Sequence, residues 1–310
     1  MRTSFRIEWS AVPGRVRDEV GRLLGSPVVA AVNEAGGFSP SLAARARLAD
    51  GRRCFLKAGS AAATNDRVVD MLRNEAALGA CFPADFPAPR LDLAVDDGEW
   101  VVLAFEEVAG HNPVQPWRPA DLDATIAALD DLPTPGGLPL RRAEVRLVGT
   151  FDGFAAVIAD PTGVDDDWTL RHLGRLAEVE SAWPAATAGE ALVHSDVRDD
   201  NVVLADDGRV LLVDWAHSFV GADWLDLAFA LPSIELAGGP SCEDLVARSR
   251  RLRRADPEAL TVVAVALLGF FTNQARHAPP PGAPAVRAFQ EAQRRVTRRW
   301  VEARLGRRVG

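Results

Sequence analysis

The sequence predicts an α+β protein with two lobes, a small β-rich N-lobe and a larger, mostly helical C-lobe. Two observations lead to this prediction: the first third of the chain contains paired apolar segments around Asp-Gly turns, and segments with helical periodicity dominate from about residue 120 onward. The chain has 310 residues, of which 48% are hydrophobic, so it can bury a core in each lobe. We expect the N-lobe to span residues 1–107 and the C-lobe residues 108–310.

The N-lobe elements follow from local patterns. Residues 14–25 place apolar side chains at helical spacing and end on a glycine, which predicts a helix. Residues 41–59 and 89–108 each contain two apolar segments around an Asp-Gly turn, which is the signature of a β-hairpin. Between the hairpins, residues 64–80 begin with candidate Thr and Asn caps and keep their apolar residues roughly on one face, which predicts a second helix.

The C-lobe pattern is helical with one interruption. A turn-rich segment, residues 109–119, is predicted to connect the lobes. The helical segments are predicted at about 120–131, 165–181, 241–254, 257–276 and 283–304. One β-rich stretch, residues 191–218, interrupts them. The longest apolar run, residues 261–271, falls short of the roughly 20 residues that a membrane span needs, and we interpret it as part of a buried helix.

Composition and charge argue against several classes of protein. The net charge of −8 argues against general nucleic-acid binding, which normally requires a basic surface. The charge is uneven: residues 240–310 contain 14 arginines and 6 acidic residues, a net +8, which leaves −16 for residues 1–239. We interpret this basic C-terminal segment as a solvated helix face.

The cysteines and the first residues indicate the compartment. Three widely spaced cysteines form neither a C-x-x-C motif nor a Cys/His cluster, which argues against a zinc site or a disulfide framework. The first residues, MRTSFRIEWSAVPG, lack the apolar core of a signal peptide. We therefore expect a cytoplasmic protein with neither a membrane nor a nucleic acid as a partner.

The motif with the clearest chemistry lies in the β-rich stretch. The segment HSDVRDDN supplies Asp196 and, five residues later, Asn201. Two short apolar strands follow, separated by a turn, and the second ends at Asp214. Such a hairpin would present two carboxylates and a carboxamide at one edge. Oxygen ligands of this kind suit Mg²⁺, which is usually held by one or two carboxylates together with substrate phosphates.

The order of these residues resembles the catalytic loop and the metal-binding aspartate of the protein-kinase-like fold. The form HSDVRDDN…VDW, followed by GADWLDLA, is similar to the aminoglycoside phosphotransferase and choline kinase family rather than to protein kinases. The resemblance implies that Asp196 orients and deprotonates an acceptor hydroxyl, and that Asn201 and Asp214 hold Mg²⁺. Arg198 would be a catalytic residue that stabilises developing phosphoryl charge, or would pair with a neighbouring aspartate.

The single lysine of the chain fits the same resemblance. Lys57 stands against 34 arginines and ends a predicted strand, and Glu75 lies on the helix that follows. A kinase-like N-lobe needs a strand lysine to hold the α- and β-phosphates and a helix glutamate to fix that lysine. The resemblance assigns these two roles to Lys57 and Glu75. An arginine would not serve equally, because guanidinium is a wide planar fork and ammonium is a compact point charge.

Two other segments are assigned to the nucleotide by the resemblance. The stretch NEAGGFSPS is similar to the family's glycine-rich opening, where backbone amides can approach phosphates because glycine has no side chain. The residues concerned are Gly36, Gly37, Phe38 and Ser39. The end of the second hairpin matches the hinge between the lobes, where adenine would bond the carbonyl of Glu106 and the amide of Val108.

The resemblance also implies supporting roles around the catalytic loop. His194 is expected to pack beneath the loop and to bond its backbone, and Asp226 is expected to brace it. Trp215 is expected to pack as the phenylalanine of Asp-Phe-Gly does in protein kinases. Ser195 departs from the glycine that is usual at its position.

The implied activity is O-phosphorylation of a small molecule on a hydroxyl group, with ATP or GTP as donor and Mg²⁺ as cofactor. The acceptor would be an antibiotic, such as an aminoglycoside or a nucleoside-type compound, or a hydroxylated metabolite. The basic C-terminal segment favours a neutral or anionic acceptor. Two alternatives are a nucleotide-binding, pseudokinase-like module without phosphotransfer and a protein kinase. The complete catalytic set argues against the first, and the short segment after Asp214 argues against the second.

Overall fold

One five-stranded antiparallel sheet forms the centre of the N-lobe. The structure, a computed structural model, describes residues 6–34, 40–280 and 283–306. The strands are β1 (Val28–Asn33), β2 (Leu42–Leu48), β3 (Arg53–Ser60), β4 (Leu91–Asp96) and β5 (Trp100–Glu106), in the order β1-β2-β3-β5-β4. Both predicted hairpins are confirmed, as β2–β3 and β4–β5. Gly51 and Gly98 take left-handed φ angles of 90° and 88°, which glycine adopts without steric cost.

Two helices cover the two faces of this sheet, where the sequence predicts them. They are α1 (Gly14–Leu24) and α2 (Asp66–Gly79). The central strand β5 is buried on both faces because successive side chains point to opposite sides of a strand. Val102 packs on the α1 side and Leu103 on the α2 side. The Asn65 side chain caps α2 by accepting a 3.0 Å hydrogen bond from the Val68 N–H, which satisfies one of the free amides at the helix start.

The C-lobe is mostly helical, as predicted. Its helices are α3 (Pro119–Asp130), α4 (Ala143–Arg146), α5 (Gly153–Ala159), α6 (Asp167–Glu180), α7 (Trp183–Thr187), α8 (Leu225–Leu236), α9 (Cys242–Arg248), α10 (Arg250–Arg254), α11 (Pro257–Ala275) and α12 (Val286–Gly306). Its strands are β6 (Gly110–His111), β7 (Ala191–Val193), β8 (Val202–Ala205), β9 (Val210–Leu212) and β10 (Phe219–Gly221). They form two small sheets, β6-β8-β9 and β10-β7.

The segment predicted as one helix over residues 241–254 is two helices, α9 and α10. Ser249 separates them with an extended backbone, φ −79° and ψ 137°. Its hydroxyl is buried, donates to Asp130 Oδ1 at 2.7 Å and accepts the Leu252 N–H at 3.1 Å. A local hydrogen bond of this kind competes with the helical one and caps the second helix. The prediction of a single helix is therefore wrong at this residue.

Two apolar helices form much of the C-lobe core. α8 has apolar residues on all sides and is buried, so it lacks the one-sided periodicity that would have predicted it. α11 is long and apolar enough to cross a membrane by length and composition alone, but it packs against α5, α6, α7 and α12. Its buried residues confirm the interpretation of residues 261–271 as part of a buried helix.

The basic C-terminal segment is only partly a solvated face. The side chains of Arg294 and Arg304 are 11% and 9% exposed. Arg294 forms an ion pair with Asp166, and Arg304 forms one with Glu243. Arg298 also pairs with Asp166, at 2.7 Å. Asp166, which lies outside this segment, thus offsets part of the +8, whereas Glu243 is already included in that count. The expectation of a solvated helix face holds for Arg295 and Arg299, which are 70% and 60% exposed, but not for Arg294, because α12 also packs against other helices.

A buried carboxylate lies where α5 meets α6 and α11. Glu180 accepts the N–H groups of Phe154 and Ala155 at the start of α5, at 2.9 and 3.3 Å. Gly269 of α11 leaves the space that this carboxylate fills. Burial raises the pKa of Glu180 to about 7, and the backbone hydrogen bonds oppose that rise. The group is therefore partly protonated near neutral pH.

This shift predicts a pH dependence of stability. Because the pKa of Glu180 is higher in the folded than in the unfolded chain, its stabilising contribution is complete below about pH 4.5 and is lost as the pH rises through about 7. Between pH 5 and 8, the free energy of unfolding should therefore fall further in wild type than in Glu180→Gln. The difference between the two decreases should be up to roughly 3 kcal/mol. Urea unfolding at several pH values measures this difference. The matched control is Glu178→Gln, which changes an exposed residue of the same helix. Equal pH slopes for wild type and Glu180→Gln would contradict the prediction.

Candidate active site

Strand β3 and helix α2 together position Lys57. Leu56 packs on the α1 side of the sheet, so the alternation of side chains directs Lys57 toward α2. On α2, Glu75 continues the buried stripe of Val68 and Leu72 at helical spacing. Lys57 Nζ consequently donates to Glu75 Oε1 at 2.7 Å and to Oε2 at 2.8 Å. The two side chains are 14% and 5% exposed.

A second carboxylate, from the C-lobe, completes an ion triad. Asp214 follows β9, and its Oδ1 accepts a 3.0 Å hydrogen bond from Lys57 Nζ. Burial alone would lower the pKa of Lys57, but the charges of Asp214 and Glu75 outweigh it and raise that pKa. The pKa of Asp214 is well below its usual range, because the charge and hydrogen bond of Lys57 outweigh the effect of burial. The triad carries one positive and two negative charges, so it can accept a further cation.

Two non-glycine residues in the described part of the chain have left-handed backbones, and both lie at this site. Asp214 has φ 69° and Ser195 has φ 70°. This conformation costs a residue with a side chain roughly 1–2 kcal/mol. The position at which Ser195 departs from the usual glycine therefore does require a positive φ. Ser195 is held there because its N–H donates to Asp226 Oδ1 at 2.7 Å and its hydroxyl to the His217 carbonyl at 3.0 Å.

The predicted catalytic loop brings Asp196, Arg198 and Asn201 together. The Asn201 amide nitrogen donates to the Asp196 carbonyl at 2.8 Å and to its carboxylate Oδ2 at 3.2 Å. Arg198 Nη1 contacts the other oxygen of the Asp196 carboxylate, and Arg198 Nε donates to Asp200 at 2.9 Å. Burial would lower the pKa of Arg198, but the charges of Asp196 and Asp200 raise it. The pairing with neighbouring aspartates, one of the two expected roles of Arg198, is thus present.

Buried polar groups support this loop from below. His194 is fully buried, and its Nδ1 accepts the Asp196 N–H at 3.2 Å, so its Nε2 carries the proton that the Val213 carbonyl accepts at 2.9 Å. Asp226 accepts the N–H groups of His194 and Ser195 at 2.9 and 2.7 Å. These contacts match the bracing roles that were expected of His194 and Asp226.

Trp215 links the loop that carries Asp214 to the region after α2. The centroid of its ring lies 5.1 Å from the ring centroid of Phe82 and 5.3 Å from that of Phe86. Its indole N–H donates to the Leu212 carbonyl at 2.8 Å. The aromatic packing fixes the backbone next to Asp214, as expected.

The hinge residues lie at the end of β5. Glu106 is the last residue of that strand, and its side chain accepts the Arg90 N–H at 3.2 Å. The N–H of Val108 has no hydrogen-bond partner among the residues that the structure describes, so it can donate to a ligand. Glu107 instead forms ion pairs with Arg45 and Arg53, at 2.9 and 2.7 Å. The predicted phosphate-covering residues Gly36, Gly37, Phe38 and Ser39 lie outside the described residues.

The segment between the lobes also forms hydrogen bonds with the predicted catalytic loop. Sequence patterns did not indicate these contacts. Asn112 donates to the Val202 carbonyl at 2.7 Å, and Gln115 donates to the Asp199 carboxylate at 2.6 Å. These contacts join residues more than eighty positions apart. Isolated amide side chains in a turn-rich segment carry no periodic signal, so only the folded chain reveals them.

The donor atoms fit a cation that is shared with a phosphate ligand. The Asn201 nitrogen is used within the loop, which leaves its carbonyl oxygen, and Lys57 occupies only one oxygen of Asp214. A carboxamide and a carboxylate are hard oxygen ligands that suit Mg²⁺ when phosphate oxygens complete its coordination. No cluster of three or more His, Cys, Asp or Glu side chains that could hold a metal ion by itself occurs in residues 6–34, 40–280 and 283–306.

Sequence comparisons leave the chain without a match. No family model matches it, and no curated protein sequence matches it significantly.

Structural comparison does find similar proteins. Choline kinase LicA from Streptococcus pneumoniae superposes with a TM-score of 0.62 at 13% identity, covering 92% of this chain and 98% of that one. A thermostable mutant of aminoglycoside phosphotransferase APH(4)-Ia, in a ternary complex with ADP and hygromycin B, superposes with a TM-score of 0.56 at 17% identity. The superposition covers 91% of this chain and 98% of that one. Spectinomycin phosphotransferase APH(9)-Ia, in complex with ADP and spectinomycin, superposes with a TM-score of 0.57 at 12% identity. The superposition covers 91% of this chain and 96% of that one. The chain therefore has the predicted protein-kinase-like fold, which it shares with these small-molecule phosphotransferases over nine-tenths of its length.

Proposed function

We propose that the protein transfers the γ-phosphoryl group of ATP or GTP to a hydroxyl group of a small molecule, with Mg²⁺ as cofactor. The observation that carries the proposal is the Glu75–Lys57–Asp214 triad, joined through one hairpin to the Asp196–Asn201 loop. Two structurally similar proteins are complexes that contain ADP and an antibiotic, which supports a nucleotide and a small molecule as the two substrates. We propose that the reaction takes place in the cytoplasm, where nucleoside triphosphates are available.

In this proposal the N-lobe holds the nucleotide. Lys57, fixed by Glu75, would bind the α- and β-phosphates with the N–H group that here donates to Asp214. The base would bond the Glu106 carbonyl and the Val108 N–H, which is free of protein partners in the part of the chain described. The residues proposed to cover the phosphates are Gly36, Gly37, Phe38 and Ser39. Asn201 and Asp214 would hold Mg²⁺, which when bound neutralises phosphate charge that would otherwise repel the acceptor oxygen.

The transfer step would use Asp196. Its carboxylate, held between Asn201 and Arg198, would orient the acceptor hydroxyl and take its proton. The acceptor oxygen would then bond to the γ-phosphorus while the bond from that phosphorus to the β–γ bridging oxygen breaks, which releases the nucleoside diphosphate. Arg198 would keep the carboxylate in place and stabilise the charge on the transferring group. Most of the rate enhancement would come from positioning.

Two observations bear on the alternatives. A pseudokinase-like module would lack part of the catalytic set, whereas Lys57, Glu75, Asp196, Asn201 and Asp214 are all present and in contact with one another as pairs. A protein kinase would need an extended activation segment. Here only residues 215–224 lie between Asp214 and α8, and they form a short helical turn and strand β10.

The role of Asp196 predicts a separation of binding from chemistry. Asp196→Asn should lower phosphotransfer by about 10²-fold or more while nucleotide affinity stays within about twofold, because Asp196 serves the acceptor. A coupled assay of ADP or GDP release over a panel of hydroxyl compounds measures the first quantity, and calorimetry measures the second. The control is Asp206→Asn, an exposed turn residue of the β8–β9 hairpin. Turnover near wild type in Asp196→Asn would remove Asp196 from this role.

The metal assignment predicts a coupling between Mg²⁺ and nucleotide. In wild type, nucleotide affinity measured by calorimetry should rise at least tenfold on adding Mg²⁺, because the triad leaves a net negative charge beside the phosphates. Asp214→Asn should lose most of that rise; asparagine tolerates the left-handed backbone of this position better than alanine does. A Mg²⁺ effect of equal size in both proteins would show that Asp214 is not a metal ligand.

The geometry around Lys57 predicts that arginine cannot replace it. Three carboxylate oxygens lie within 3.0 Å of one nitrogen, a convergence that a planar guanidinium cannot reproduce. Lys57→Arg should fold, with a melting temperature near wild type, and should lose roughly 10²-fold in kcat, as misplaced reacting groups do. Combining it with Glu75→Gln should cost less than the sum of the two single effects, because the residues act as one unit.

The matched control is the opposite exchange, arginine to lysine, at the exposed position Arg53 of strand β3. Arg53→Lys alters an ion pair with Glu107 in which the Arg53 side chain is 62% exposed, and such pairs contribute little. It should leave kcat and melting temperature unchanged. A fully active Lys57→Arg enzyme would contradict the assignment.

A further inference from the structure

Three arginine side chains without carboxylate partners, together with the ring of His217, lie beside the proposed catalytic centre. We call this group the cationic cluster; its members are Arg67, Arg141, Arg146 and His217. Arg146 Nη2 lies 3.3 Å from His217 Nδ1. Within the residues that the structure describes, none of the three arginines forms an ion pair with an aspartate or a glutamate. Arg146 is only partly exposed, so its guanidinium has lost part of its hydration without gaining a counter-ion.

Three separate parts of the chain contribute side chains to the cationic cluster, in which Arg146 and His217 are in contact and the charges of Arg67 and Arg141 act on Arg146. Arg67 lies in the first turn of α2 in the N-lobe. Arg146 ends α4, and the segment just before α4 is tied to β10 because the Arg141 carbonyl accepts the Val220 N–H at 2.9 Å. His217 ends the short helical turn that follows Asp214. The cluster thus lies at the boundary between the N-lobe and the C-lobe.

The electrostatics support the proximity of these groups. Burial lowers the pKa of Arg146, and the charges of Arg67 and Arg141 lower it further. Burial also lowers the pKa of His217, and the charges of Arg146 and Arg67 lower it further. The charges of Asp196 and Asp214 oppose this lowering. The Arg146 guanidinium is thus held near two other guanidinium groups without a carboxylate partner. A bound anion would supply the missing counter-charge.

The position of His217 connects the cluster to the reacting group. Its carbonyl accepts the Ser195 hydroxyl at 3.0 Å, next to Asp196 in the chain. The charges of both Asp196 and Asp214 act on its ring. A small molecule with its hydroxyl at Asp196 would therefore have another part of its structure near Arg146.

We infer that the cationic cluster binds an anionic group, a carboxylate or a phosphate, of the acceptor substrate. The inference rests on the proposed function and names the acceptor class: a small hydroxyl compound that carries a negative charge. Arginine forks match the two oxygens of a carboxylate or phosphate, which makes them suited to recognise either group. Three guanidinium groups would repel a polycationic acceptor. The acceptor would thus differ in charge from an aminoglycoside, in spite of the shared fold.

The first test measures anion binding without any phosphotransfer. With saturating MgADP in the nucleotide site, inorganic phosphate is titrated by calorimetry into wild type, Arg146→Gln and Arg142→Gln. Arg142 is a matched control, since it neighbours the cluster in sequence and is paired with Glu190 at 2.8 Å. We expect saturable binding to wild type and Arg142→Gln, and roughly tenfold weaker binding to Arg146→Gln, the effect of losing one charge-assisted hydrogen bond.

Two results of this titration would overturn the inference. Absence of saturable phosphate binding in wild type is the first. The second is binding of equal strength in Arg146→Gln, which would locate the anion at Lys57 and the transfer site instead. Because the titration needs no acceptor and no turnover, it decides the inference even if the proposed phosphotransfer is never observed.

The second test compares acceptors that differ mainly in charge. The coupled assay is run with gluconate, glucose 6-phosphate, glucose and glucosamine, which offer similar hydroxyl groups with a carboxylate, a phosphate, no charge and an ammonium group. We expect kcat/KM to be highest for an anionic member, and Arg146→Gln to lower that value about tenfold while the values for glucose and for ATP stay unchanged. The two anionic compounds distinguish carboxylate from phosphate recognition. A preference for glucosamine, insensitive to Arg146→Gln, would overturn the inference.

Discussion

The ammonium group of Lys57 is the point on which the geometry of the site depends. It lies between Glu75 of helix α2 and Asp214 of the C-lobe, so a single cation connects the sheet, the helix and the catalytic hairpin. Removing one partner of such a buried group leaves an uncompensated charge, which costs about 3–5 kcal/mol. The three residues therefore constrain one another, and their contact ties the N-lobe to the C-lobe at this point.

The C-lobe core makes this arrangement possible by holding a strained backbone. Asp214 and Ser195 both have left-handed φ angles, and such residues persist only where their surroundings fix them. His194 and Asp226 supply that fixation from buried positions, with hydrogen bonds to the backbone on either side of the loop. Helix α8 carries Asp226 within an apolar core. The packing of an apolar helix thus helps to fix the backbone of the loop that carries Asp196.

Charge along the chain and charge at the site are different quantities in this protein. The basic C-terminal segment was expected to make the acceptor pocket positive, but Arg294 and Arg298 share an ion pair with Asp166, and Arg304 pairs with Glu243. Among the arginines near His217, Arg146 contacts its ring and has no carboxylate partner among the described residues. Electrostatic potential at a site depends on which charges remain unpaired nearby, since paired charges largely cancel.

The sequence by itself determined the elements with local signals and the order of the chemical groups. Asp-Gly turns and one-sided periodicity predicted both hairpins and the amphipathic helices. The order of Asp196, Asn201 and Asp214, through its resemblance to a known family, predicted the candidate site that includes Lys57. Tertiary structure decided the rest: the break at Ser249, the burial of α8, and the meeting of Arg146 with His217. A buried helix has no polar face to mark its period, and contacts between residues 71 positions apart leave no pattern in a single sequence, because only the folded chain brings them together.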